Sequence, residues 1–441
     1  MQQVKGDEIT AIKDANFINS LNGKIAGVSI NKSGSGVGGA TRVVMRGAKS
    51  IEGDNNALYV VDGIPLFNTN MGNTDSGIMG EGKAGTEGVA DFNPEDIESI
   101  SILSGPSAAA LYGSSAANGV VLITTKKGQE GKLQISFSSS SEFSKAYMMP
   151  EFQNTYGNKE GMFESWGDKL SRPNSYDPKS DFFNTGTNFI NSLTLSTGTK
   201  QNQTFASVSS TNSKGIVPNN KYDRYNFNVR NTTSFLDDKM TLDVNASYIL
   251  QKDRNMVNQG TYNNPLVGAY LFPRGNDWED IKMYERYDVA RKIYTQYWPT
   301  GDGNMTMQNP YWVNYRNLRE NKKDRYMLGA SLNYQILDWL NVSGRVRLDN
   351  SNNDYTEKAY ASTNTQLTEL SDRGLYGISR SYEKQLYADF LVSVNKTFGE
   401  KWSLQANVGG SFTDMRYDEI AVRGPIALSL IHISEPTRRS Y

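Results

Sequence analysis

The feature that most constrains this chain is a strict two-residue alternation that fills its second two-thirds. The stretch MTLDVNASYIL places Met240, Leu242, Val244, Ala246, Tyr248 and Leu250 on one side of an extended backbone. Thr241, Asp243, Asn245 and Ser247 fall on the other side, because successive side chains of a strand point to opposite faces. LGASLNYQI repeats the arrangement with Leu328, Ala330, Leu332, Tyr334 and Ile336 against Gly329, Ser331, Asn333 and Gln335. YNFNV, LQISF, NVSGRVRL and WSLQANV follow the same rule. About nine such strands are predicted beyond residue 130, several long enough to cross a bilayer at a tilt. The connections alternate in length: LDDK (236–239), LDW (337–339) and GEK (399–401) are tight, whereas 146–187, 253–324 and 351–374 are long. Short turns on one rim and long loops on the other fit an outer-membrane β-barrel. A soluble up-and-down sheet or sandwich, its apolar face covered by a second sheet, is the alternative that alternation leaves open.

Composition narrows the function. A barrel averages a greasy face with a wet one, so the mean hydropathy of −0.57 does not argue against a membrane. No run of eighteen apolar residues exists, which removes transmembrane helices. With 46 Lys and Arg against 47 Asp and Glu there is no basic field for nucleic acid, which is not an expected partner. The absence of cysteine and the single histidine, His432, exclude thiol nucleophiles, Cys/His zinc sites and histidine triads. A β-rich glycoside hydrolase would need two carboxylates at catalytic spacing, and no pair can be nominated. No catalytic residue, metal or cofactor is predicted. The aromatic share of 11%, including 25 tyrosines, suits interfacial girdles. MQQVKGDEITAI lacks the basic start and apolar core of a signal peptide, which leaves either a cytoplasmic protein or a piece of a longer one.

The first 130 residues have another texture, glycine-rich with short apolar runs: AGVSI, RVVM, ALYVVDGIPL, ESISIL and GVVLITT. These predict the strands of a compact mixed α/β unit. SGSGVGG (33–39) matches G-x-G-x-x-G at Gly34, Gly36 and Gly39, with Asp54 twenty positions after the first glycine. A dinucleotide fingerprint needs a helix next, yet Val43, Val44 and Met45 announce a strand, so a flexible loop is the better expectation. NPEDIES reads as a helix start, with Asn93 as cap, Pro94 first and Glu95, Asp96 and Glu98 compensating the helix dipole. GPSAAALYG predicts a helix from Pro106 to a stop at Gly113, and Asp62-Gly63 reads as a hairpin turn.

Four blocks carry a family resemblance: LNGKIAGVSI (21–30), RVVMRGAKSI (42–51), ALYVVDGIPL (57–66) and NPEDIESISILSGPSAAALYGSSAANGVVLITTKKG (93–128). In this order they resemble the plug of TonB-dependent outer-membrane transporters of the SusC/RagA-like branch, and NPYW (309–312) in the longest loop is similar to the same branch. The resemblance covers residues 1 to 425 and implies a plug domain at 1–128 followed by the N-terminal portion of an outer-membrane barrel at 129–425. It implies a transporter, not an enzyme: a plug inside a barrel of about 22 strands. A SusD-like surface lipoprotein is implied as lid and the TonB complex as energy source, with outer-membrane lipid around the barrel and an oligosaccharide or peptide as substrate. By the same resemblance Arg46 is expected to pair with barrel-wall carboxylates. Trp166, Trp278, Trp298, Tyr311 and Trp312, in the long loops, are candidates for substrate or lid contact, each weighed against plain loop packing.

The sequence departs from that family in three respects: no signal sequence, no upstream domain or TonB-contacting segment, and about nine strands where a closed barrel needs more. LSLIHISEPTRRSY (428–441) breaks the strand rhythm and resembles translated adapter read-through, so a truncated fragment with a non-native tail is expected. Two other functions stay open at this point, a siderophore or vitamin receptor of the wider superfamily and a surface-binding β-protein that does not transport.

Overall fold

The computed structural model describes residues 2–45, 47, 55–66, 85–103, 108, 110, 112–258, 260–301, 306–398 and 402–426. Its N-terminal body is built on a five-stranded sheet of β1 (Gln2–Lys5), β4 (Leu58–Val61), β5 (Ile64–Pro65), β6 (Ile97–Leu103) and β7 (Val120–Thr125), ordered β1-β6-β7-β4-β5. Only β4 and β7 run parallel; β2 (Val28–Asn31) and β3 (Arg42–Met45) form a separate antiparallel pair. A buried core of Ile9, Phe17, Ile18, Val61, Val89, Ile97, Ile100, Val121 and Ile123 joins these pieces. Each such side chain contributes roughly 1.5–3 kcal/mol by leaving water.

The local signals act as chemistry dictates, with one correction. Asp62 (φ 51°) and Gly63 (φ 81°) both take left-handed backbone, the geometry of a tight hairpin between β4 and β5. Asn93 caps its element by accepting from the Glu95 amide, but the element is one 3-10 turn, Pro94–Asp96, not a helix. The following IESISIL is rich in β-branched residues and is claimed at once by β6, where it pairs on both edges. GPSAAALYG lies only partly within the described residues; Gly113 (φ 64°) leads into the 3-10 turn Gly113–Ala116.

The nine alternating strands form one antiparallel sheet. In chain order they are β8 (Gly131–Ser144), β9 (Gly186–Gly198), β10 (Asn202–Lys214), β11 (Lys221–Phe235), β12 (Met240–Arg254), β15 (Asn317–Leu337), β16 (Leu340–Ala359), β17 (Leu375–Phe398) and β18 (Trp402–Pro425). A small hairpin of β13 (Glu285–Asp288) and β14 (Ile293–Gln296) stands in the loop between β12 and β15. Every strand of the sheet exceeds the ten or so residues a bilayer requires. The connections at 199–201, 236–239 and 338–339 share one rim, and those at 145–185, 215–220, 255–316 and 360–374 the other. Leu236, Asp237 and Asp238 make their tight turn with three successive positive φ values. The GEK turn lies outside the described residues.

The sheet is inside out by the standard of a soluble protein. Its polar face packs on the N-terminal body, while Tyr225, Phe227 and Val229 of β11 and Leu328 of β15 are exposed. The strand register aligns Ile135, Leu195, Ala206, Val229, Ala246, Leu328, Leu348 and Leu386 in one row across eight strands. None of the eight is buried. A continuous apolar band of this width is unfavourable in water and suits hydrocarbon. This outward band also removes the covered-sandwich alternative, because no second sheet lies over it among the described residues.

Candidate functional site

The face of the sheet that meets the N-terminal body is lined with charge, and four contact sets hold the body there. The deepest centres on Asp91, at the end of the 3-10 turn Gly88–Asp91. Its carboxylate is fully buried, 2.5 Å from Lys323 Nζ and 2.7 Å from Arg325 Nη1. Arg325 turns its other edge to Asp349, donating from Nε at 2.9 Å and Nη2 at 2.7 Å, and also donates to the Gly88 carbonyl at 2.6 Å. Arg224 and Asn226 of β11 donate to the carbonyls of Ala90 and Asp91. Burial works to raise the Asp91 pKa, but the adjacent Lys323 and Arg325 charges overcome it and hold the group below the ordinary carboxylate range.

The second set grips the β4–β5 hairpin. The Asp62 carboxylate accepts from the Thr125 amide at 3.0 Å and its hydroxyl at 2.7 Å, and meets Arg230 Nη1 at 3.3 Å. Arg230 is shared with Asp243 at 2.9 Å. Arg347 donates to the Pro65 carbonyl at 2.7 Å, and Gln385 does so at 3.2 Å. Arg345, paired with Asp389 at 2.6 Å, reaches the Asp62 carbonyl at 3.4 Å. Beside the hairpin lies a cavity of about 360 Å³ lined by Asp62, Arg230, Asp243, Arg345, Arg347 and Lys127 among others.

The third set is the glycine-rich loop, with β3 following as the sequence predicts. Its backbone is pressed on the start of β11: a methyl group on Gly38 (φ 79°) would fall 2.4 Å from the Tyr222 ring, and one on Gly36 (φ 100°) 2.9 Å from Asn220. The Val257 amide donates to the Ser35 carbonyl at 3.0 Å. Here the glycines permit close approach to a wall rather than to a phosphate. Asp54 lies outside the described residues.

In the fourth set Asn93 donates to Ser192 Oγ at 3.2 Å and to Asp96 Oδ1 at 3.1 Å. Burial pushes the Asp96 carboxyl up to about 7, opposed by the Ser207 hydroxyl, the Lys126 charge and Asn93. Glu95 pairs with Lys13 at 2.6 Å, a tie from the capping turn to the chain's first helical segment and its flank.

Arg46 lies outside the described residues. Among the described contacts Asp62 and Asp91 of the body meet wall cations, while Lys127 of the body meets the wall carboxylate of Asp243 at 3.5 Å. The aromatic candidates separate. Trp278, Trp298 and Tyr311 join Tyr176, Phe182 and Phe272 in a loop core, with Trp278 stacked on Tyr176 at 4.1 Å. Trp312 is fully buried and donates to Thr363 Oγ1 at 3.0 Å. NPYW is the start of the helix Pro310–Arg316, capped by Asn309 accepting from the amides of Tyr311 and Trp312. Trp166 alone of the five is open to solvent, 72% exposed beside Tyr156. Sequence reasoning missed Asp91, Lys323 and Arg325; the polar, inward position of the last two within an alternating strand was the signal available.

Residues 1–120 match the TonB-dependent Receptor Plug Domain. The TonB-dependent receptor SusC of Bacteroides thetaiotaomicron is 31% identical over 255 residues, 57% of this chain and 24% of that protein. The TonB-dependent receptor P3 of Formosa agariphila is 26% identical over 423 residues, 90% of this chain and 37% of that protein. The chain therefore spans only about a quarter to a third of these relatives. Among solved structures, the RagAB peptide importer in its closed-closed state aligns with a TM-score of 0.70 at 18% identity, covering 96% of this chain and 48% of that one. The unliganded ferric citrate transporter FecA aligns at 0.54 and 10%, covering 96% and 48%. At these identities both report the fold: plug and barrel wall.

Proposed function

We propose that this chain is a SusC/RagA-like TonB-dependent receptor, as its similarity to the plug domain and to SusC supports, and that it supplies the plug and leading barrel strands of an outer-membrane importer for an oligosaccharide or peptide. Residues 1–128 are the plug and 129–425 barrel wall in this reading. One observation carries it: a sheet with its apolar band outward and its charged face closed on a plug is built to sit in lipid and block a pore. A sheet in lipid must close on itself, so transport belongs to a complete barrel and not to nine strands. Energy comes from TonB, and a SusD-like lipoprotein covers the long-loop rim, where Trp166 offers an exposed ring for lid or substrate. Trp278, Trp298, Tyr311 and Trp312 brace the loops that form that seat, and the Arg46 pairing is retained as an additional plug anchor. Relatives named for peptide import and for SusC favour this reading over a siderophore receptor, the better alignment being with RagAB. The test is growth on the candidate nutrient by a strain carrying the full-length gene, with and without its TonB. Growth should stop without TonB; undiminished uptake would sink the proposal.

A further inference from the structure

We infer that the long-loop rim contains a carboxylate-binding groove anchored by Arg274. The inference rests on the importer reading only in taking this rim as the face that meets solute. Arg274 lies in the connection from β12 to β15 and is 3% exposed. Its guanidinium is flanked by two rings, 4.9 Å from the centre of Tyr176 and 5.4 Å from that of Phe152. Nε donates to Asn154 Oδ1 at 2.8 Å and Nη1 to the Phe272 carbonyl at 2.6 Å. Both acceptors are neutral, and among the described residues no carboxylate lies within ion-pair distance and Nη2 has no hydrogen-bond partner. Asp177 acts on Arg274 only from beyond ion-pair distance; a buried cation with no carboxylate in contact is costly, and an anion arriving from outside removes that cost.

The surroundings are shaped to receive one. Arg274 lines an open groove of about 590 Å³, within the range of small-ligand sites. Tyr147 and Met148 form its exposed rim, and Lys179 stands 5.9 Å above the Tyr147 ring as a second cation. Asp177 and Glu151 also border the groove. The Asp177 carboxylate is committed to the Lys179 amide at 3.0 Å. The two acids balance the two cations, so the groove has no net positive charge to favour a polyanion, and the Arg274 fork takes a single carboxylate. The planar fork of Arg274 fits a carboxylate, and the rings suit the apolar body that bears it. Such a group is supplied by the C-terminus of a peptide or by a uronic acid of an oligosaccharide.

The experiment is calorimetric titration of the purified full-length receptor in detergent with trialanine, trialanine amide, digalacturonate and digalacturonate methyl ester. At least one acid should bind more tightly than its neutral counterpart by roughly tenfold or more, the worth of a charge-assisted contact. The pair that discriminates identifies the source, peptide or sugar. Arg274→Gln should bring acid and neutral form to parity, and Arg274→Lys should keep only part of the preference. The inference is overturned if neither acid outbinds its neutral form, or if the preference survives Arg274→Gln. The wild-type comparison and the Lys variant decide the matter even where the Gln variant fails to fold. Because TonB plays no part in the titration, loss of the importer reading would leave this result standing.

Discussion

Replacing Asp91 with asparagine isolates what a buried charge contributes to holding the plug. The amide keeps the side chain's shape but strands Lys323, a 3% exposed ammonium whose only ion-pair partner among the described residues is Asp91. Arg325 keeps Asp349. Breaking a buried pair from one side costs about 3–5 kcal/mol, and two charge-assisted hydrogen bonds at about 1.5–3 kcal/mol each give the same scale. The cysteine-free sequence supplies the assay. Ser209 is buried on the inner face of β10, and its hydroxyl makes only a 3.5 Å contact to Asn226, so Ser209→Cys installs a reporter at small cost. Its reaction with an uncharged maleimide tracks the population in which plug and wall have separated. Asp91→Asn should speed labelling roughly 10²- to 5 × 10³-fold, as 3–5 kcal/mol requires. Adding Lys323→Met, which removes the stranded charge, should restore most of the protection. A change below about threefold would refute the magnitude. Fast labelling that Lys323→Met does not slow would refute the orphaned-charge mechanism itself.

Two further outcomes follow from the same interface and from the band outside it. Asp96 has its folded pKa raised from 3.8 to about 7, so between those values the folded state keeps a proton the unfolded chain has lost. Stability is then fully present below pH 4 and falls, by something on the order of 4 kcal/mol, as pH rises to 7. Asp96→Asn should flatten this segment of the urea-midpoint profile, and an unchanged slope would show that Asp96 is not its source. Leu328→Arg puts a charge in the apolar row at a 48% exposed site and should cost about 2–4 kcal/mol of folding free energy in phospholipid vesicles. Folding in vesicles as stable as wild type would mean that this face does not meet lipid.

What the sequence discloses about this protein is governed by distance along the chain. Asp62-Gly63 is legible because a two-residue hairpin is a local event, and the nine strands are legible because their alternation is. Asn93 caps as expected, yet the helix it announces yields after one turn to the strand preference of IESISIL. Which face of the sheet is outward is not contained in alternation, since the same pattern serves a sandwich and a barrel; burial decides it. The Asp91 anchor was illegible because Lys323 and Arg325 lie 232 and 234 residues away, and nothing near any of them signals the meeting. The tryptophans show the converse limit, for Trp278 and Trp312 share with Trp166 the residue type and the long loops but not its exposure.

The polarity of the interface has an electrical consequence. Among the described residues six wall cations touch the plug: Arg224, Arg230, Lys323, Arg325, Arg345 and Arg347. Arg230, Arg325 and Arg345 are also paired with wall carboxylates, whereas Arg224, Lys323 and Arg347 are in ion-pair contact with none among the described residues. Withdrawal of the plug would therefore leave Arg224, Lys323 and Arg347 facing water on this part of the wall, a local positive potential that favours anions there.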